Sequence, residues 1–154
     1  MLLVMFRSGG SLYAVDARRV VEVVPRVAPR PIPHAPPELL GLLSYRGRVV
    51  PLIDFGTLAG GSPARAALST RVILARFAGR DGGERLVGLL AEDVSRVRNA
   101  GPGQVVAPAM ALDAAPYLGA VVRLDEGLVQ LIEVDKLVSE RFESALFGNP
   151  AGAG

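Results

Sequence analysis

The stretch Leu39–Phe55, LLGLLSYRGRVVPLIDF, returns later in the chain as Tyr117–Val134, YLGAVVRLDEGLVQLIEV. Leu40-Gly41 matches Leu118-Gly119, and Leu52-Ile53-Asp54 matches Leu131-Ile132-Glu133. The offset is 78 residues before the turn and 79 after it, which predicts a second turn one residue longer. Upstream, Leu12-Tyr13-Ala14-Val15 matches Leu86-Val87-Gly88-Leu89 at an offset of 74, and Val20 and Val23 fall on Val94 and Val97 at the same offset. A pattern of this kind constrains the fold more than any local propensity. It predicts two interleaved copies of one unit, carried by about residues 12–60 and 71–134. Each copy holds a hairpin, a short helix, a proline-rich connection and a second hairpin.

The Leu39–Phe55 stretch reads as two strands, Leu39–Tyr45 and Arg48–Phe55, joined at Arg46-Gly47. Glycine supplies the positive φ that a two-residue hairpin turn needs. The strands are nearly continuously apolar rather than alternating, which predicts cover on both faces. Pro51 has no N–H to give to a ladder and belongs at an edge or bulge.

Taken in order, Leu2–Phe6 and Leu12–Val15 form an opening hairpin turned at Ser8-Gly9-Gly10. Asp16 is placed to cap a short helix carrying Val20, Val23 and Val24 on one face, with Arg18 and Glu22 four apart and Pro25 as its stop. Val27–Ile32 is held extended by Pro29, Pro31 and Pro33. Asp54 caps a second short helix, and Gly60–Ser69 is a loop between the copies. Arg71–Phe77 and Arg85–Ala91 pair across a turn at Arg80–Gly83, and Glu92–Val97 takes the place of the first copy's helix. Asn99–Pro108 is punctuated by glycine and proline. Glu133 opens the best helix, whose apolar stripe is Val134, Leu137, Val138, Phe142, Ala145 and Leu146. Residues 148–154 are expected to be a disordered tail.

The 154 residues suit one domain or two small intimate ones; half are apolar but only 5% aromatic, so the core is built of Val, Leu and Ala. With no cysteine, disulfides and thiolate metal sites are excluded. MLLVMFRSGG has no basic leader, and no apolar run approaches the ~20 residues of a membrane span. These features predict a soluble cytoplasmic protein, and the start at Met1 predicts a free-standing one. The net charge is +2 with basic residues scattered, so no stretch resembles a nucleic-acid-binding tail.

Catalysis finds no machinery here. The one histidine, His34, sits among prolines without a partner base or nucleophile. No GxxxxGK[ST] phosphate loop is present, and no GxGxxG follows a strand. The carboxylate pairs Glu92-Asp93 and Asp125-Glu126 are adjacent residues, expected to point into solvent. No cofactor, metal or catalytic residue is expected. What remains is a surface for partners, formed by strand edges and by the groove between the copies.

Five segments in order carry a resemblance: VVEVV at Val20–Val24, LLGLLSYRGRVVPLIDF, LVGLLAEDV at Leu86–Val94, and YLGAVVRLDEGLVQLIEVDKLV, with the proline-flanked connection before Leu39. Together they resemble the CheW family of chemotaxis coupling proteins over nearly the whole chain, 1–147, most specifically in the RGxVVPxxD pattern at Arg46–Asp54. The family usually has Asn-Leu before that Arg-Gly, where this chain has Ser44-Tyr45. The resemblance implies a mainly β fold of two small five-stranded SH3-like barrels around a shared apolar core, with a C-terminal helix. It also implies a non-catalytic adaptor that bridges the cytoplasmic tip of a chemoreceptor and the regulatory domain of a CheA-type histidine kinase. It places the partner-binding positions on Val20, Glu22, Gly41 and Arg46. Membrane arrays would recruit such a protein through its partners, without direct insertion. Two alternatives stand beside this one: a variant that binds receptor but not kinase or serves a non-flagellar pathway, and a nucleic-acid-binding small barrel. The second predicts steeply salt-dependent affinity, which the few aromatics and scattered charge disfavour. Glu22 and Arg46 are expected to form a partly exposed ion pair.

Overall fold

The computed structural model describes residues 1–109 and 112–138, with the backbone alone at Ser95. Among them, β1 (Leu2–Ser8), β2 (Ser11–Asp16), β3 (Val20–Pro25), β4 (Leu39–Tyr45) and β5 (Arg48–Asp54) precede the helical turn α1 (Phe55–Leu58). Next come β6 (Arg71–Ala78), β7 (Glu84–Asn99), β8 (Val105–Ala107), β9 (Leu118–Leu124) and β10 (Gly127–Ile132). Short 3-10 turns lie at Ala17–Arg19, Pro102–Gln104 and Val134–Lys136. The fold is mainly β, a curled sheet forming two SH3-like barrels.

The 16-residue β7 belongs to both barrels. Its first part pairs with β6 and β5, and its last part pairs with β1. The register with β1 shifts between Met5 and Arg7, where Asp93 takes a positive φ of 52°. This kink carries the strand from one barrel to the next. The first barrel is β3, β6, β7, β5 and β4; the second is β7, β1, β2, β10, β9 and the short β8.

Apolar side chains at consecutive strand positions serve different cores. On β1, Leu3 and Met5 point into the second barrel, whereas Val4 and Phe6 point into a core between the barrels. On β6, Val72 and Leu74 fill the first barrel, and Ile73 and Ala75 join the same central core. The central core gathers Phe6, Phe55, Phe77 and Tyr117 with Val, Leu and Ile from both barrels. Strands covered on both faces have no use for polar alternation, which is why the sequence shows so little of it.

The halves exchange hairpins. Val4 pairs with Val97, and the corresponding pair is Val23 with Ile73. Ala14 pairs with Leu131, and Gly88 with Leu52. In each barrel the opening hairpin of one half thus lies against strands of the other. Both central hairpins close through two residues, Arg46-Gly47 and Asp125-Glu126, so the longer second turn expected from sequence is not found. From Leu39–Ile53 to Leu118–Ile132 the ladders share a single offset of 79, with a register shift near the base of each. Gly41 and Gly119 accordingly fall one step apart. Pro51 pairs with Leu42 one residue before the ladder to β7 begins at Leu52, so its missing N–H costs no bond there.

Two expected helices are strands. Val20–Pro25 pairs along β6, and only Ala17–Arg19 turns helically, capped by Asp16, whose Oδ1 accepts from the Arg18 N–H at 3.0 Å. Four β-branched valines pack on a pleated surface at less entropic cost than in a helix. Arg18 consequently pairs with Asp16 at 2.8 Å and not with Glu22. Glu92–Val97 likewise continues β7. The Asp54 cap is found as expected, with its carboxylate also accepting from the Ala64 N–H at 3.1 Å. At the expected C-terminal helix, the described part is the turn Val134–Lys136, with Val134, Leu137 and Val138 buried. Phe142, Ala145, Leu146 and the tail 148–154 lie outside the described residues.

Candidate partner-binding surface

The rim of the first barrel is shaped by two local departures from regular strand. At the hairpin tip, Arg46 and Gly47 have φ of 48° and 77°. Two successive positive φ values match a type I′ turn, whose twist suits the flanking strands. Glycine takes that conformation freely; for Arg46 it costs roughly 1 kcal/mol, and it sets the side chain at the tip. On β3, the register with β6 slips between Val20 and Glu22. A bulge of this kind re-aims the side chain that follows it.

The bulge and the turn bring three side chains together. Tyr45, the last residue of β4, lays its ring against the core of the first barrel. Its hydroxyl donates to Oε1 of Glu22. An Arg46 Nη2 stands 3.7 Å from the same oxygen, with the arginine side chain 78% exposed and the glutamate 42%. The guanidinium carbon lies 5.3 Å from the centre of the Tyr45 ring, within cation–π range. The hydrogen bond to Glu22 holds the Tyr45 phenol above its ordinary pKa, and partial desolvation adds to the effect. At this exposure the Glu22–Arg46 pair contributes roughly 0–1 kcal/mol to stability, so its arrangement matters for shape and not for folding.

Of the four residues singled out in the sequence, the structure joins Glu22 and Arg46. Val20 is half-buried against the central core. Gly41 is covered: a Cβ there would meet the Arg30 carbonyl oxygen at 2.2 Å, and its φ is 147°. Arg30 and Leu42 exchange two backbone hydrogen bonds of 2.9 Å, which tie the proline-rich strap onto β4 at this point. Tyr45 was not anticipated as part of the site. An aromatic residue next to a basic turn was its signal, although nothing local reveals that its hydroxyl reaches Glu22.

The second barrel repeats the arrangement with the charges reversed. There the tip is acidic, and the cation is on β7: Arg98 Nη2 lies 3.8 Å from Asp125 and 3.1 Å from Glu126. His34 is exposed in the strap. Among the described residues no three His, Cys, Asp or Glu gather in a metal-binding cluster, and no helix is long and apolar enough to cross a membrane.

The pattern of the CheW-like domain matches residues 2–142. The chain belongs to the CheW-like family. It is 29% identical to the chemotaxis protein CheW of Rhizobium meliloti over 93% of this chain and 91% of that protein. It is 30% identical to the chemotaxis protein CheW of Klebsiella aerogenes, over 96% of this chain and 86% of that one. The fold is shared with the scaffolding protein TtCheW of Thermoanaerobacter tengcongensis, at a TM-score of 0.78 and 22% identity over 92% and 89% of the two chains. The CheW-like chain is therefore a chemotaxis coupling adaptor, a scaffold without catalytic activity.

Proposed function

We propose that this CheW-like chain bridges the cytoplasmic tip of a chemoreceptor and the regulatory domain of a CheA-type histidine kinase. It acts in the cytoplasm and joins membrane arrays through those partners. Residues 1–147 act as one domain of two interleaved copies. The observation that carries the reading is the contact of Glu22 with Arg46 on the exposed rim of the first barrel. A strand residue and a turn residue, 24 positions apart, are held there in a defined geometry that adds little to folding. A fixed geometry lowers the ordering cost of binding. Arg46 is the direct contact; Glu22, Val20 and Gly41 act from behind it, through the Tyr45 hydrogen bond, β3 and the strap.

The deciding experiment is a pull-down and titration of Arg46→Ala against the purified kinase regulatory domain and a receptor-tip fragment. The variant should weaken association with at least one of them while melting at the wild-type temperature. Wild-type binding to both would reject this surface. The Ser44-Tyr45 pair favours a second reading, in which receptor is held and kinase is not. Wild-type protein that retains the receptor fragment and fails to bind the kinase domain would establish it.

A further inference from the structure

We propose that Tyr45 determines what the rim accepts: its hydroxyl occupies Glu22 and leaves the Arg46 guanidinium open to a carboxylate on the docking protein. The inference rests on the reading of this rim as the partner-binding surface.

Three contacts carry it. Glu22 Oε1 accepts from the Tyr45 hydroxyl. Arg46 Nη2 is 3.7 Å from that oxygen, beyond the 2.7–3.2 Å of an N–H···O bond, so the arginine spends no donor on Glu22. The guanidinium is instead steadied over the Tyr45 ring at 5.3 Å while its side chain stays 78% exposed. Its backbone is fixed by the turn. What reaches solvent is a planar fork, 78% exposed, whose orientation the ring and the turn set.

Such a fork matches a carboxylate through two parallel hydrogen bonds, a geometry that lysine cannot offer. Charge selects the same ligand. Arg46 stands in the turn and Arg48 directly after it, and Glu22 cancels one of the two charges. The net surplus at the tip is one positive charge, which suits a single carboxylate; a doubly charged phosphate would crowd Glu22. Without the phenolic hydroxyl, the Glu22 carboxylate is free to turn to Arg46, and the pair closes on itself.

The test is isothermal titration of the full chain against the purified kinase regulatory domain and the receptor-tip fragment, using Arg46→Ala, Tyr45→Phe, Glu22→Gln and the double variant Tyr45→Phe/Glu22→Gln. Arg46→Ala identifies the partner that uses the rim. For that partner, Tyr45→Phe should lose about tenfold in affinity, on the scale of a charge-assisted hydrogen bond. Glu22→Gln still accepts from the hydroxyl and should lose less affinity than Tyr45→Phe does. The double variant should recover most of the loss, because glutamine no longer draws Arg46 in. Arg46→Lys should bind as weakly as Arg46→Ala. If Arg46→Ala weakens binding and Tyr45→Phe does not, the proposal fails while the surface assignment stands. Loss in Tyr45→Phe that Glu22→Gln does not relieve also overturns it. An Arg46→Ala variant that binds both partners normally removes the surface and the proposal together.

Discussion

Gly41 and Arg30 meet backbone to backbone, with the Arg30 carbonyl oxygen 2.2 Å from where a Gly41 Cβ would stand. The strap before β4 is seated by that contact and by the paired hydrogen bonds at Leu42.

Gly41→Ala should therefore destabilise the fold by about 2–4 kcal/mol, combining left-handed strain with a backbone clash. Thermal denaturation should show a fall of about 5–15 °C for a chain of this size. An unchanged melting temperature would mean that the strap lifts freely.

Phe55 is the hub of the central core. It is 1% exposed, and its ring centre lies 4.9 Å from Phe6, 4.7 Å from Tyr13 and 6.1 Å from Tyr117. Phe55→Ala should cost about 3–5 kcal/mol by opening a cavity between the barrels. Urea unfolding should keep one transition with a lower midpoint. Two separated transitions would show that the barrels do not share this core energetically.

The Asp54 carboxylate is buried and accepts from the Thr57 N–H at 3.3 Å and the Ala64 N–H at 3.1 Å. Asp54→Ala leaves both donors unsatisfied and should cost about 1–3 kcal/mol. Asp54→Asn keeps an acceptor and should cost less. Equal midpoints for Asp54→Ala and wild type in urea would show that water replaces the carboxylate.

The Tyr45 phenol, raised first by its hydrogen bond to Glu22, should ionise above the ordinary tyrosine range near pH 10. A raised folded-state pKa means that the bond's stabilisation is complete below the ordinary value. It is lost as pH climbs through the raised one. Spectroscopic titration at alkaline pH, taken as the difference from Tyr45→Phe, should show this late ionisation, and Glu22→Ala should bring it earlier. The opposite displacement would mean that the hydroxyl does not rest on Glu22 in solution.

The repeat, the central hairpins and the Asp54 cap could be read in the sequence, from residues a few positions apart or from direct likeness between two segments. The approach of Glu22 to Arg46 is expected from the compactness of a small barrel and the family resemblance, since 24 positions separate the two. The strand character of Val20–Val24 was harder, because in a run of five residues a spacing of three or four mimics a helix. β-Branching should have decided it. β8 was invisible because Val105–Ala107 is three residues long and gains its identity only by pairing with β9. Tyr45 could not be placed by any local rule. Its hydroxyl finds Glu22 across 23 residues, and only because a bulge in β3 turns that carboxylate toward the hairpin.

The hairpin exchange also orders events during synthesis. The first barrel uses strands between Val20 and Ala91, a continuous run that can close as soon as β7 leaves the ribosome. The second barrel takes β1 and β2, made before any strand of the first, and Leu2 finds its partner only at Asn99. Until then Leu3, Val4, Met5 and Phe6 have neither of the cores that later bury them. Residues of β1 are made well before the partners that shelter them, and the growing chain is open to aggregation or chaperone capture there.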